Sequence, residues 1–404
     1  MQKPSLKQIR TLTIRGMVIG YLPVSIIGLI EPPLETLPDA IEALIVLLVF
    51  SSLIYGCIVL GRAANKYAAY KGYKNPFYIY SILNIFGLCF LFLLKNKNQH
   101  TDPNKDPIEN FSLSAILISW FAIPLLFTIP LMLIALYIAG IEGFEEYYSG
   151  DNNLSQISNI LIEITFIWYI FREFKRTNLN YKAILGSFQK IDFKLPIGLA
   201  IIEFLFARGF NSITLYGLSF VFPGYVEEQI NKVYATSFIG WICVAIGALL
   251  FAPVMEEIIY RGIVFQKLTI TQNFRKALLT SAIFFTIIHF RYDLIFLFIA
   301  GVVLVLLYLK TKQLIVPIIS HFFYNLIVIV INLHDWLSSR TDPSQMTIAE
   351  YQQKFSDNFE IYVLLIAVSA PYLCYFIYKN YPRNYNVQQL PYFVNQRITD
   401  EQNG

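Results

Sequence analysis

Apolar residues in this chain neither alternate nor recur at amphipathic helical spacing; they run on without interruption. The runs fall near 17–30, 40–61, 76–94, 112–140, 154–171, 194–221, 236–265, 276–290, 294–309, 314–333 and 360–378. Most are long enough to cross a hydrocarbon core of about 30 Å at about 1.5 Å per residue. Lipid offers backbone amides and carbonyls no partners, and the runs are too long and uniform for barrel strands, so they are helices. The first is short for a span. The pattern therefore predicts an all-α fold, a polytopic membrane helix bundle of about nine to eleven helices. There is no strict internal repeat and no low-complexity linker.

Composition sharpens the same picture. Of the 404 residues, 56% are hydrophobic and 14% charged, with a mean hydropathy of +0.54; a soluble domain carries roughly 25% charged residues. The net charge of +4 is small. Basic residues sit between the apolar runs, as in cytoplasmic loops and unlike a nucleic-acid footprint, so no nucleic-acid partner is expected. Cys57, Cys89, Cys243 and Cys374 all lie inside apolar runs without paired spacing, which reads as small hydrophobes rather than disulfides or a zinc site. The basic N-terminus precedes a short apolar stretch ending in Glu31, Pro32 and Pro33, and it lacks a small-x-small cleavage site. It reads as a retained anchor or interfacial segment.

Loop charge predicts topology from residue 141 onward. Arg172, Lys175, Arg176, Lys182, Lys190 and Lys194 put the 172–194 loop in the cytoplasm, and Glu142, Glu145, Glu146 and Asp151 put 141–153 outside. Alternation then places 222–235 and 334–359 outside. It places 266–276 (Lys267, Arg275, Lys276), 310–313 (Lys310, Lys312) and the C-terminal tail inside. Farther upstream, both 62–75 (Arg62, Lys66, Lys71, Lys74) and 95–105 (Lys95, Lys97, Lys105) are basic with one run between them. Either 76–94 is re-entrant or one loop breaks the charge rule.

Ionisable residues within spans are costly and are functional candidates by default. They gather in FAPVMEEIIYRGIVF over 251–265 (Glu256, Glu257, Arg261), in FFTIIHF ending at 290 (His289), and in SHFFYN within 314–333 (His321, Asn325). Glu257 and Arg261 are four apart and share a helix face, which suits an ion pair. Glu256 points about 100° away, free for a partner on another helix. His321 and Asn325 share a face in the same way. Counted from the cytoplasmic ends, Glu256, His289, His321 and Asn325 lie about 18, 20, 14 and 20 Å deep. One depth for four polar groups predicts one site within the bundle. His100 and His334 fall in loops and read as solvated, as do Arg291 and Asp293; Phe285 and Tyr260 read as packing.

A carboxylate with an imidazole can take a proton from a water that attacks a carbonyl. A second imidazole and an amide can stabilise the oxyanion. No Ser or Cys stands beside these residues, so water is the expected nucleophile. These parts suit peptide hydrolysis, and also ester or amide hydrolysis.

EExxxR (Glu256 to Arg261), FxxxH (Phe285 to His289) and HxxxN (His321 to Asn325), in that order on successive apolar runs, resemble the signature of the CAAX-protease and bacteriocin-processing (CPBP, or Abi) family. This is a family of intramembrane glutamic endopeptidases that includes the Ras-converting CAAX endopeptidase. The resemblance covers about residues 195–335. It implies that Glu256 activates water with help from His289, that His321 and Asn325 form the oxyanion site, and that Glu257 and Arg261 are a supporting pair. It implies no metal and no cofactor; HExxH is absent. It also implies a peptide or membrane-protein substrate, prenylated CAAX-type in the eukaryotic role, and an integral multi-pass protein of a bacterial plasma membrane. The domain reading is 1–150, an N-terminal membrane region outside the resemblance; 151–335, the protease core; and 336–404, an outer loop, last helix and polar tail. Two other classes compete: a non-catalytic membrane scaffold, and a transporter with the polar layer as its substrate site. Intact motifs speak against the first, and the lack of paired broken helices in matching halves against the second.

Overall fold

The computed structural model describes residues 5–19, 39–73, 85–94, 97, 105–149, 153–187, 191–289, 291–339 and 345–403, all helix, turn or coil without a strand among them. Residues 20–38, half of the 76–94 run, His100 and Asp151 lie outside the described residues. The protein is an all-α, multi-helix membrane protein. Among the described residues seven helices are long and apolar enough to span a bilayer. The chain divides into two compact units, one of residues 1–102 and 114–130, the other of 103–113 and 131–404.

In the first unit, α1 (Asp39–Tyr70) packs against α2 (Ile85–Leu93) over Ala64, Ala68 and Leu91. Lys71 is buried, and its ammonium donates to the carbonyls of Leu91, Phe92 and Leu94 at 2.6, 2.7 and 2.6 Å. It thus caps the end of α2, where helix carbonyls lack intrahelical partners. The basic stretch 62–75 is therefore a poor topology marker. Arg62 and Lys66 belong to α1, and the charge of Lys71 is spent on a helix terminus.

The second unit carries the candidate site. Its helices are α3 (Pro107–Asn110), α4 (Leu113–Ser149, of which 114–130 belong to the first unit), α5 (Asn153–Thr177), α6 (Tyr181–Leu185), α7 (Lys194–Ser219) and α8 (Pro223–Ile230). They are followed by α9 (Phe238–Thr271), α10 (Phe274–Ile287), α11 (Leu294–Thr311), α12 (Ile315–Ser339), α13 (Ile348–Asp357), α14 (Phe359–Asn380) and α15 (Pro391–Asn403). Helix α7 lies against α12 and α14, and α10 lies against α11 and the second half of α9. A Cβ at Gly209 of α7 would stand 2.6 Å from the Tyr362 carbonyl oxygen of α14. Such close backbone approach is how small residues let membrane helices pack.

Helix α9 is not a uniform α-helix: Gly247–Phe251 and Glu257–Phe265 are π-helical. Pro253 supplies a local cause for the first widening, because it has no amide to donate one turn back and its ring crowds that carbonyl. Pro317 sits in the first turn of α12, where a missing amide costs nothing.

Several stretches that read as loops from sequence carry helix, α6 and α8 among them. Helix α4 continues through residues 141–149, and α13 opens the second half of the 334–359 segment. Thr347 caps α13 with both arms of a capping box, and those hydrogen bonds hold the exposed Glu350 carboxyl below its ordinary range.

The polar C-terminal segment folds as α15 and docks on α6. The buried Asn395 amide donates to the carbonyls of Ala183 and Lys312 at 3.2 and 2.9 Å, and the Tyr392 amide donates to Gln266 Oε1 at 2.7 Å. Gln266 Nε2 in turn donates to Gly262 O at 2.7 Å and to Tyr308 Oη at 3.2 Å, and the Tyr308 hydroxyl donates to Ile184 O. Gly186 holds φ +76°, and any Cβ there would meet Lys312 O at 2.5 Å. This layer ties one end of α9 to the α11–α12 turn. Asn395→Ala would strand two buried carbonyls, and we expect a loss of about 1–3 kcal/mol, read as a lower unfolding midpoint in detergent; an unchanged midpoint would show that α15 bears no load.

Candidate active site

Glu256 and Glu257 lie side by side where α9 passes into its second π segment, and both are buried, at 8% and 0% exposure. Their side chains diverge. Glu257 Oε1 accepts from Arg261 Nη1 at 2.9 Å, the ion pair that four-residue spacing predicts. The same oxygen lies 3.0 Å from His321 Nδ1 on α12, a contact that spacing along one helix cannot disclose. The Arg261 guanidinium also sits 4.2 Å over the Phe285 ring, which stands edge-on to His289 at 4.9 Å. Phe285 is therefore a wall between cation and imidazole as well as packing.

Glu256 Oε2 faces His289 Nε2 at 3.8 Å and His321 Nε2 at 3.9 Å. The hydrogen bonds on the far side of each ring assign the tautomers. His289 Nδ1 lies 2.7 Å from Phe285 O, which only accepts, so that nitrogen carries a proton. His321 Nδ1 meets a carboxylate and carries one too. In neutral rings both Nε2 atoms then present lone pairs to the space beside Glu256. Three acceptors converging at these separations suit a water that donates to two of them. They are wider than the edge of about 3.3 Å between ligands of a tetrahedral zinc with bonds of about 2.0–2.1 Å. Among the described residues, no three His, Cys, Asp or Glu side chains are grouped as metal ligands.

Asn325 lies one turn beyond His321 on α12, and its amide donates to Ala248 O at 2.7 Å. That carbonyl belongs to the first π segment of α9, a few residues before Pro253. An amide nitrogen has a second proton, which this contact leaves for another acceptor. The four singled-out residues thus come from α9, the end of α10 and α12. Asp293 departs from the solvated reading, being buried and paired at 2.8 Å with Arg291, which is itself exposed as that reading expects. His334 is exposed, as its loop position suggests.

Two embedded carboxylates escape the motif reading. Glu163 of α5 lies against Gly247, where a Cβ would stand 3.2 Å from its Oε2, and it is near enough to Glu256 to feel its charge. Glu203 of α7 is buried within electrostatic range of Arg261 and Glu257. The signal for both was present: a lone acid in the middle of an apolar run.

Residues 237–327, which include every residue of the three motifs, match the family described as Type II CAAX prenyl endopeptidase Rce1-like. A curated protein of Bacillus subtilis (strain 168), titled "Putative membrane peptidase YdiL", is 34% identical over 100 residues, 24% of this chain and 41% of the relative. The match thus spans less than half the length of that relative. No solved structure matches. The segment carrying the site is homologous to the CAAX-protease (CPBP) family of intramembrane proteases. Arg261→Met should leave Glu257 without its permanent counter-charge and cost about 3–5 kcal/mol in thermal or denaturant unfolding. The Arg261→Met, Glu257→Gln double variant should recover most of that loss, whereas additive losses would show the two to be uncoupled.

Proposed function

We propose that this protein is an intramembrane glutamate-dependent endopeptidase that hydrolyses a peptide bond with a water activated by Glu256 and His289. The observation that carries the reading is the approach of Glu256 Oε2 to two imidazole Nε2 atoms at 3.8 and 3.9 Å inside a buried layer. A water held there donates to Glu256 and His289, and Glu256 takes its proton as the oxygen attacks the substrate carbonyl. The C–N bond then breaks as the proton passes to the departing amine. His321 and Asn325 stabilise the oxyanion in between. For His321 that role requires a proton on Nε2, the ring being oriented by the contact of its Nδ1 with the Glu257 carboxylate at 3.0 Å. Arg261 keeps Glu257 in place. No cofactor takes part in this scheme.

The wider reading is a bundle of nine to eleven spans with the active site inside it, in a bacterial plasma membrane. Residues 151–335 form the protease core, and 1–150 serve specificity or partner binding. The substrate is a peptide, a membrane protein or a prenylated CAAX-type protein.

Glu256→Gln preserves shape and removes the base. We expect normal folding and membrane insertion with proteolysis reduced by about 10²–10⁴-fold or more. Comparing the proteomes of cells carrying wild type and Glu256→Gln, one substrate should differ in its termini. Full activity in the variant would end the mechanism, and preserved biological function without cleavage would favour the scaffold.

A further inference from the structure

A cavity of about 680 Å³ opens beside the candidate catalytic layer, bounded by α7, α12, the 229–234 stretch and α13. None of Glu256, His289, His321 or Asn325 lines it, yet it begins one turn away from them. On α12, Val328 and Asn332 of its wall lie three and seven positions beyond Asn325, on the same side of the helix. Tyr292 of its wall follows His289 by three residues, and Phe204 follows the embedded Glu203 directly. Phe204 and Tyr324, both in its lining, have ring centroids 6.5 Å apart. A substrate whose carbonyl reached Asn325 would therefore continue into this space after about 5 Å of travel along α12.

The lining is not that of a lipid-chain slot. Asn211, Gln229 and Asn332 present amides able to pair with an extended peptide backbone, between aromatic faces such as Trp241 and Phe355. Its charge is lopsided: Arg208, Lys232 and Lys354 stand against the single carboxylate of Asp335. The stretches 229–234 and 345–355 that frame it belong to the side that loop charge assigns to the exterior.

We propose that this cavity binds a peptide segment of the substrate on one side of the scissile bond and selects for carboxylates, with Arg208 and Lys354 as the selecting cations. This deepens the endopeptidase reading and rests on it for the word substrate. The carboxylates come from acidic side chains or from a free C-terminus, and both present the same group to a guanidinium.

The test measures binding apart from cleavage. Glu256→Gln protein in lipid nanodiscs is titrated with fluorescein-labelled ten-residue peptides bearing four Asp or Glu, four Lys, or no charge, each with a free or an amidated C-terminus. The acidic set should bind about tenfold tighter than the neutral set, less so as salt is raised. Arg208 and Lys354 are exposed, so an Arg208→Glu, Lys354→Glu variant should fold and lose or invert that preference. Retained preference after amidation assigns it to side chains; loss on amidation of the neutral set assigns it to the terminus. Equal binding of all sets, or a preference untouched by charge reversal, overturns the proposal. The wild type separates the two readings. Acid-selective binding without cleavage of any bound peptide leaves the cavity assignment standing against the protease. Cleavage without acidic preference does the reverse.

Discussion

A carboxylate buried among membrane helices must find a counter-charge or give up its ionisation, and the site is organised around how Glu257 meets that demand. Its Oε1 takes Arg261 at 2.9 Å and His321 at 3.0 Å, so one oxygen joins two turns of α9 to α12. The pair itself adds little net stability once desolvation is counted, but breaking it strands a charge. What the pair secures is direction. With Nδ1 of His321 committed to Glu257, the other nitrogen turns toward Glu256. Among the described residues the neighbouring carboxylate pairs with two imidazoles and no permanent cation. In the proposed mechanism chemistry falls to Glu256 and the structural role to Glu257.

Rigidity of the surrounding helices lets so few contacts define the geometry. All four site residues sit on or at the end of long helices, where position is set more tightly than on loops. The π segments of α9 are the exception that the site uses. The first of them holds both the Ala248 carbonyl that partners Asn325 and Gly247, which lies against the embedded Glu163. At the opposite end of α9, Gln266, Tyr308 and Asn395 form a polar network closed by α15. A helix with irregular turns in its middle is thus held firmly below them.

Much of this was legible along the chain. The apolar runs could only be helices, because lipid leaves the backbone no other way to satisfy its hydrogen bonds. The Glu257–Arg261 pair followed from spacing on one helix, and the grouping of Glu256, His289 and His321 followed from three motifs at one depth. The N-terminal basic stretches resisted, because a lysine's sequence position does not reveal whether it meets water or helix carbonyls; Lys71 does the latter. Glu163 and Glu203 belong to none of the three motifs, and only their position within apolar runs marks them.

What the sequence determined by itself is what local periodicity and the cost of polar groups in lipid can dictate: helices, their composition, and which residues are too expensive to be there without reason. Only the tertiary structure decided that His321 leans on Glu257, that Asn325 reaches the backbone of α9, and that a cation-lined cavity opens one turn beyond. Those are contacts between helices far apart in the chain. Their geometry depends on packing, on a proline that widens one helix, and on hydrogen-bond partners that no single segment contains.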